Sequence, residues 1–413
     1  MNNELLRTGL FAAAAIALAG AAAYIEPEAS RAEIFSDAGE IFFPNFRDVM
    51  AVKAIEVVDY DEAEATARPL KVEFRKNRWT ITSHSDYPAE ARDRLAKTAS
   101  ALLDLKKDSP VSDRFEDQAA YGVIDPLDAR NPSLSGRGKR VTLRDAGGAV
   151  LAELVLGNAV KDKAGYRYVR LPGQKRTYMV KTDADPSAHF ADWVEANLLR
   201  LTSTDVARMT LNSYQIDEQF GRVANLQRTI MVRDKENWNE QAKSMASTLA
   251  SLRVAGARPK PPELAQQLRT KQLALTLDTV MSLRQRGYFI TPAGALLSNE
   301  GELIVESTKG VNYTLRFGEV VSDATASAAA KPREDRYLFV MVAAKSPEGG
   351  PLAESLNNKF ADWYYVISGT DFARLHPTRA AQLKALKERP PQPGPPTALP
   401  PAPSSQPPPP PKQ

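Results

Sequence analysis

Val141-Thr142-Leu143-Arg144-Asp145-Ala146-Gly147-Gly148-Ala149-Val150-Leu151-Ala152-Glu153-Leu154-Val155-Leu156-Gly157 is the most telling stretch of this chain. Val141 and Leu143 alternate with polar residues, Gly147-Gly148 supplies a turn, and Val150 to Leu156 carries the chain back, so the pattern is a β-hairpin. Two more short strands are expected downstream at 166–171 and 177–181, before a short helix around Phe190 to Leu199. Upstream, Leu70, Val72 and Phe74 alternate with Lys71 and Glu73 as a half-buried strand. After Tyr87-Pro88, Ala91, Leu95, Ala99, Leu102 and Leu103 recur at helical spacing, and the helix should end near Lys107. Pro126 and Asn131-Pro132 punctuate a loop between helix and hairpin.

The same sequence of elements returns in the second half. Phe190-Ala191-Asp192-Trp193 recurs as Phe360-Ala361-Asp362-Trp363, and Asp205-Val206-Ala207-Arg208-Met209 as Asp371-Phe372-Ala373-Arg374-Leu375. The run from Phe74 to Trp79 resembles that from Val232 to Trp238, and Tyr121-Gly122-Val123-Ile124-Asp125-Pro126 answers Gly287-Tyr288-Phe289-Ile290-Thr291-Pro292. Gly157 after Leu154-Val155-Leu156 pairs with Gly318 after Leu315-Arg316-Phe317, and Tyr166 to Arg170 pairs with Arg336 to Val340. In this second copy Met245, Leu249 and Leu252 mark one helix. After Pro262, Leu273, Leu277, Val280 and Met281 share a face of another, closed by Gly287, and 302–306 with 313–317 form the hairpin. The expected architecture is α+β with mostly antiparallel sheets, built as two tandem duplicated modules over residues 50–209 and 210–378. Trp79, Trp193, Trp238, Trp363, Asp192, Asp362, Gly157 and Gly318 are the repeat anchors.

Composition narrows the chemistry. A chain of 413 residues is too long for one core. The absence of cysteine removes disulfide scaffolds, zinc ribbons, iron–sulfur clusters and thiol nucleophiles. A net charge of +4 gives no argument for a nucleic-acid partner. Residues 9–25 form an uncharged, alanine-rich run with Arg7 before it and Glu26 and Glu28 after it. As a helix the run spans about 26 Å, at the short end of what crosses a bilayer. The charge bias places 1–8 in the cytoplasm and the bulk of the chain outside it. Two readings stay open: an uncleaved signal anchor, or a signal peptide cleaved after a small-residue motif. Both imply export, with a bacterial inner membrane as the expected location of the anchored form. Residues 26–49 read as a linker and 379–413 as a C-terminal extension. From Pro390 onward that extension holds 13 prolines in 24 residues and should be an extended, disordered polyproline II spacer.

Motifs for catalysis do not assemble. The three histidines, His84, His189 and His376, have no histidine or cysteine at ligand spacing and read as surface residues. Neither a P-loop nor a nucleophile elbow occurs, and Ser135-Gly136-Arg137-Gly138-Lys139-Arg140 lacks the helix a phosphate loop requires. The acidic clusters Asp113, Glu116, Asp117 and Asp59, Asp61, Glu62, Glu64 lie among basic residues and read as solvated surface. Asp192 and Asp362 precede tryptophans in both copies, and a fold role explains the recurrence more simply than catalysis does. No catalytic, metal or cofactor-binding residue is assigned.

Arg78-Trp79-Thr80-Ile81-Thr82, Asp86-Tyr87-Pro88-Ala89 opening a helix, and Tyr121-Gly122-Val123 before Pro126 resemble the domain-of-unknown-function 4340 family. So do Gly287 to Pro292, Leu315-Arg316-Phe317-Gly318-Glu319 and the run from Asp362 to Ser368. The resemblance covers most of residues 50–378. It implies one N-terminal membrane helix, a large extracytoplasmic part and an accessory role beside gliding-motility-type ABC exporters, with no catalytic residue to carry over. The expected function is therefore a non-enzymatic, membrane-anchored scaffold whose partners are exporter subunits or other cell-envelope proteins. Two alternatives remain: a periplasmic ligand- or glycan-binding module using the tryptophans as stacking platforms, and, last, an envelope hydrolase.

Overall fold

The first strands are shaped by a two-residue turn. Lys76 and Asn77 both take left-handed backbone conformations (φ 48° and 63°). That is the geometry of the tight turn whose twist matches the flanking strands, and it seats Trp79 opposite Phe74. The computed structural model describes residues 37–217, 222–233, 238–270, 276–291, 294–321 and 334–377. The expected cytoplasmic start 1–8, the apolar run 9–25, residues 26–36 of the expected linker and the Pro-rich tail lie outside the described residues. Among the described residues no helix is long and apolar enough to cross a membrane.

The first unit contains β1 (Ala54–Asp61), β2 (Thr66–Arg75), β3 (Arg78–Ile81), β4 (Tyr87–Pro88), helix α1 (Arg92–Leu102), β5 (Ser109–Ser112) and helix α2 (Gln118–Tyr121). The strands β6 (Lys139–Arg144), β7 (Val150–Ala159), β8 (Tyr166–Arg170) and β9 (Thr177–Lys181) complete it. The second unit runs through β10 (Val206–Asp217), β11 (Arg222–Val232), α3 (Glu240–Ala250), β12 (Gly256–Pro259), α4 (Pro262–Thr270) and α5 (Leu277–Arg284). It continues with β13 (Tyr288–Ile290), β14 (Leu296–Ser298), β15 (Glu302–Ser307), β16 (Val311–Val320), β17 (Arg336–Ala344), α6 (Gly350–Ala361), β18 (Trp363–Ile367) and α7 (Gly369–Leu375). The fold is α+β, and every strand ladder is antiparallel. The two large sheets have the orders β4-β3-β2-β1-β6-β7-β8-β9-β5 and β11-β10-β15-β16-β17-β18-β12.

Period-2 burial drives these strands. In β16 every second residue from Val311 to Phe317 is buried, and the residues between are half-exposed. One helix lies against the inner face of each sheet: α1 buries Leu95, Ala99 and Leu102, and α3 buries Met245, Ala246 and Leu249 behind the Asn239 cap. One apolar core runs through both units, and a second, smaller one gathers Leu264, Leu283, Tyr288, Leu296, Phe339 and Tyr364 beneath α4 and α5. The units are tied directly: the Leu198 N–H donates to the Leu252 carbonyl at 3.1 Å, Lys359 pairs with Glu195, and Tyr87 meets Trp363 edge-on at 4.8 Å.

Several sequence expectations need correction. The boundary at 209/210 falls inside β10, and the segment joining the sheets is 182–205. Residues 37–49 are not a bare linker, since Phe42, Phe43 and Phe46 are buried in the core. The helix expected over 190–199 shrinks to a single turn, Phe190–Asp192, because Val194, Leu198, Leu199 and Leu201 are drawn into the core between the units. Helix α1 stops at Leu102, with Leu103 already extended and Leu105 pairing with Phe42. The single helix expected after Pro262 is two, and α5 turns Leu277 and Met281 outward (76% and 49% exposed) while burying Thr279 and Leu283. Leu273 lies outside the described residues. His376 is no surface residue: it is fully buried, flanked by Phe317 and Phe372.

Candidate functional site

The anchors inferred from sequence separate into two groups. Trp193 is 1% exposed and its indole N–H donates to the Ser187 carbonyl at 2.8 Å, while Asp192 accepts from the Ser187 hydroxyl at 2.5 Å. Trp363 is only half-buried, and Asp362 is bridged to Arg269 of α4. The two tetrapeptides do not occupy equivalent places. Phe190–Trp193 follows β9, whereas Phe360–Trp363 leads into β18, the strand that stands where β9 stands in its own sheet. The Asp205–Met209 and Asp371–Leu375 pair fails likewise, being a strand start in one case and helix α7 in the other. Trp79 and Trp238 are half-buried against the core.

Gly157 and Gly318 are equivalent. Each is the eighth residue of a ten-residue strand, β7 or β16. A Cβ on Gly157 would stand 2.5 Å from the Tyr121 carbonyl oxygen, and one on Gly318 would stand 2.2 Å from that of Arg286. Those carbonyls belong to the residues just before Gly122 and Gly287, which turn in the left-handed region (φ +68° and +80°). The neighbouring strand repeats the pattern one residue out of step with the sequence pairing. Arg167 donates to the Gly157 carbonyl (Nη2, 3.0 Å) and Arg336 to the Gly318 carbonyl (Nη1, 3.3 Å). The Tyr121 and Tyr168 rings meet at a tilt, 4.6 Å apart, and the Arg286 guanidinium lies 5.6 Å from the Tyr337 ring. Ladder register fixes these pairings, and register was the signal missing from the sequence reading.

A groove of about 890 Å³ opens beside β17. Strand β18 pairs with β17 only at Arg336, Tyr337 and Leu338, while β17 continues to Ala344. Helix α6 lies along that continuation. Its Asn357 amide donates to the Val342 carbonyl (2.6 Å) and accepts from the Val342 N–H (2.9 Å), so a side chain replaces a neighbouring strand there. Leu268 and Arg269 of α4, Phe339 and Met341 of β17, and Ala353 and Phe360 of α6 line the groove. Behind it Lys260 is buried (5% exposed), its Nζ donating to the carbonyls of Phe360 (2.8 Å) and Trp363 (2.7 Å) and lying 4.2 Å from the Phe339 ring. Burial holds this amine well below the ordinary lysine range, against the opposing pull of Asp362. The arrangement can accept an extended polypeptide: apolar walls, a strand continuing past its last partner, and one charged pair at the rim.

The acidic clusters are engaged in pairs. Asp113 is bridged to Arg176 at 2.7 Å, Asp117 accepts from Ser112 at 2.6 Å, and Arg68 joins Asp61 to Glu64. Among the described residues no group of three or more histidines, aspartates or glutamates converges as a metal site.

With this geometry in view, the fold defines a class: an α+β protein of two antiparallel sheets sharing one core, with helices on their inner faces and a groove at a strand edge. Residues 79–273 match the family model described as domain of unknown function (DUF4340), from β3 of the first unit into the second. The match supports that family for this stretch. No curated protein and no solved structure matches the chain.

Proposed function

We propose that this protein is a non-enzymatic, membrane-tethered extracytoplasmic protein that holds a partner polypeptide, as an accessory component of an ABC-type export system. The observation that carries the reading is the groove in which β17 runs on past β18 between α4 and α6. Apolar walls select the side chains of an extended chain, and its main chain would take over from Asn357 the two groups of Val342. The tether rests on residues 9–25 and the charges around them, the exporter on the family resemblance. Affinity purification of the full-length protein from membranes in mild detergent, with a photo-crosslinker at Glu354, tests it. A groove-dependent crosslink to an exporter subunit is expected; recovery of the chain alone would refute it. Reporter fusions after residue 60 should be active only outside the cytoplasm.

The two units are, in this reading, tandem copies of one module. Their shared order β2-β1-β6-β7-β8-β9-β5 and β11-β10-β15-β16-β17-β18-β12, together with the Gly157/Gly318 and Arg167/Arg336 contacts, supports that origin. A second reading, a ligand-binding module, is favoured by a polar cavity in the first unit. Its ligand would not stack on Trp193, which is sealed in the core. The hydrolase reading has least support, since Asp113 and Asp117 are held by Arg176 and Ser112.

A further inference from the structure

A cavity of about 450 Å³ opens in the first unit between the 115–130 segment and the β8–β9 turn. Its floor holds the Arg170 guanidinium, although Arg170 is only 5% exposed. Arg170 Nε donates to the Val123 carbonyl at 2.8 Å and Nη1 to those of Gln174 (2.8 Å) and Leu171 (3.4 Å). Among the described residues no carboxylate lies within 4 Å of it, and Nη2 has no hydrogen-bond partner. Beside it Gln118 is 3% exposed, and its side-chain amide also lacks a partner among the described residues. Neither Nη2 nor the Gln118 amide is among the sealed polar atoms that lack a partner, so both open to the cavity, where a ligand can reach them. Burial lowers the Arg170 affinity for its proton, against the opposing pull of Asp125 and Asp128.

The second unit supplies an internal comparison. Arg170 pairs with Val155, two residues before Gly157; Phe339 pairs with Arg316, two residues before Gly318. Gln118 stands four residues before Gly122, and Leu283 four before Gly287. Phe339 and Leu283, each 1% exposed, pack with Tyr288 and Tyr364 in the smaller core. At the same place in the first unit Arg170 ties Val123 to the β8–β9 turn, and its Nη2 and the neighbouring Gln118 amide are left over by that structural role.

Charge and shape define the ligand. Asp125 and Asp128 line the cavity, but Asp125 is bridged to Arg140 (2.9 Å) and accepts from the Leu127 N–H, and Asp128 accepts from Arg130 Nε (3.2 Å). With Arg140 also bound to Glu153, the lining residues Arg130, Arg170 and Lys175 outnumber Asp125 and Asp128 by one positive charge. Phe115 and Leu127, each about half exposed, put apolar surface at the mouth. We propose that this cavity binds a carboxylate carried on an apolar body, the anion meeting Arg170 and the Gln118 amide and the apolar part lying on Phe115 and Leu127. The planar guanidinium suits a planar carboxylate better than a point charge would.

The test is calorimetric titration of the full-length protein with N-acetyl-leucine, its neutral counterpart N-acetyl-leucinamide, and inorganic phosphate. Saturable binding of the acid in the low-millimolar range is expected, with the amide and phosphate at least about tenfold weaker. Arg170→Gln should weaken the acid at least tenfold. Gln118→Leu, which copies Leu283 and should leave melting unchanged or raised, should weaken it several-fold and decides the matter if Arg170→Gln does not fold. Absence of saturation, equal binding of amide or phosphate, or wild-type binding by Gln118→Leu would overturn the proposal. It is independent of the scaffold reading, because these variants leave the β17 groove and its partner capture untouched.

Discussion

Replacing Gly157 or Gly318 by alanine adds one methyl group at a place where the structure leaves none. Neither residue is at positive φ, so the cost is purely steric. At Gly318 the new carbon would meet the Arg286 carbonyl oxygen at 2.2 Å and the Tyr288 ring at 2.9 Å; at Gly157 it would meet the Tyr121 carbonyl and Val123 Cγ1, both at 2.5 Å. Contacts under 3 Å against backbone cannot be relieved by a rotamer change, so the preceding turn and the strand must part. Overpacking of this kind costs about 1–3 kcal/mol, and backbone partners put both sites at the upper end. For units of this size each kcal/mol moves the midpoint by about 2–4 °C, giving a fall of about 4–12 °C in thermal melting followed by circular dichroism. Gly256→Ala is the control: its φ is not positive, the nearest atom, Val366 Cβ, lies at an ordinary 3.6 Å, and a gain of about 0.4–1 kcal/mol is expected. If Gly157→Ala and Gly318→Ala melt within about 1 °C of the parent, the close approach does not constrain the fold and the argument for equivalent turns fails with it.

Three further outcomes follow from single contacts. Trp193→Ala should cost about 3–5 kcal/mol, because a side chain 1% exposed leaves a cavity and an unpaired Ser187 carbonyl; chemical denaturation that finds under 1 kcal/mol would contradict its place in the core. Asn357→Ala removes both hydrogen bonds to Val342 at a cost of about 1–3 kcal/mol, and amide exchange at Val342 should accelerate while that of buried β16 amides does not. Burial against Phe190, then the charge of Arg258, holds His84 below its ordinary value of 6.5. The folded state thus binds fewer protons than the unfolded one between the two values. Its contribution is complete above 6.5 and is lost as pH falls through the folded value, so the melting temperature of His84→Gln should depend less on pH in that range.

The hairpins were legible because alternation and Gly147-Gly148 are local signals that burial then reinforces. Gly157 and Gly318 were legible as a pair because only glycine tolerates a carbonyl so close, and the demand recurs wherever the turn does. The tetrapeptides ending in Trp193 and Trp363 misled for the opposite reason: similarity of letters carries no register, and the ladders place one after a strand and the other at the start of one. The Arg170 cavity was invisible, since its lining comes from three stretches, 115–118, 125–130 and 170–175, and its importance lies in hydrogen bonds not made. The failed helix at 190–199 reflects a tertiary pull on Leu198 and Leu199 that helical spacing cannot report.

Each sheet closes with a strand synthesised long before its neighbour. β5 stands at the edge beside β9, some 65 residues later, and β12 beside β18, more than a hundred residues later. An emerging chain therefore carries β5 and β12 unpaired until the last strand of each unit appears, and loop closure over such spans is slow. A chain ending before Ile367 leaves the second sheet with an orphan early strand, its α3 without the sheet's final member. Completion of folding is thus a late and cooperative event, gated by the C-terminal strand, and the time the second unit spends open is set by the synthesis or delivery of residues 363–367.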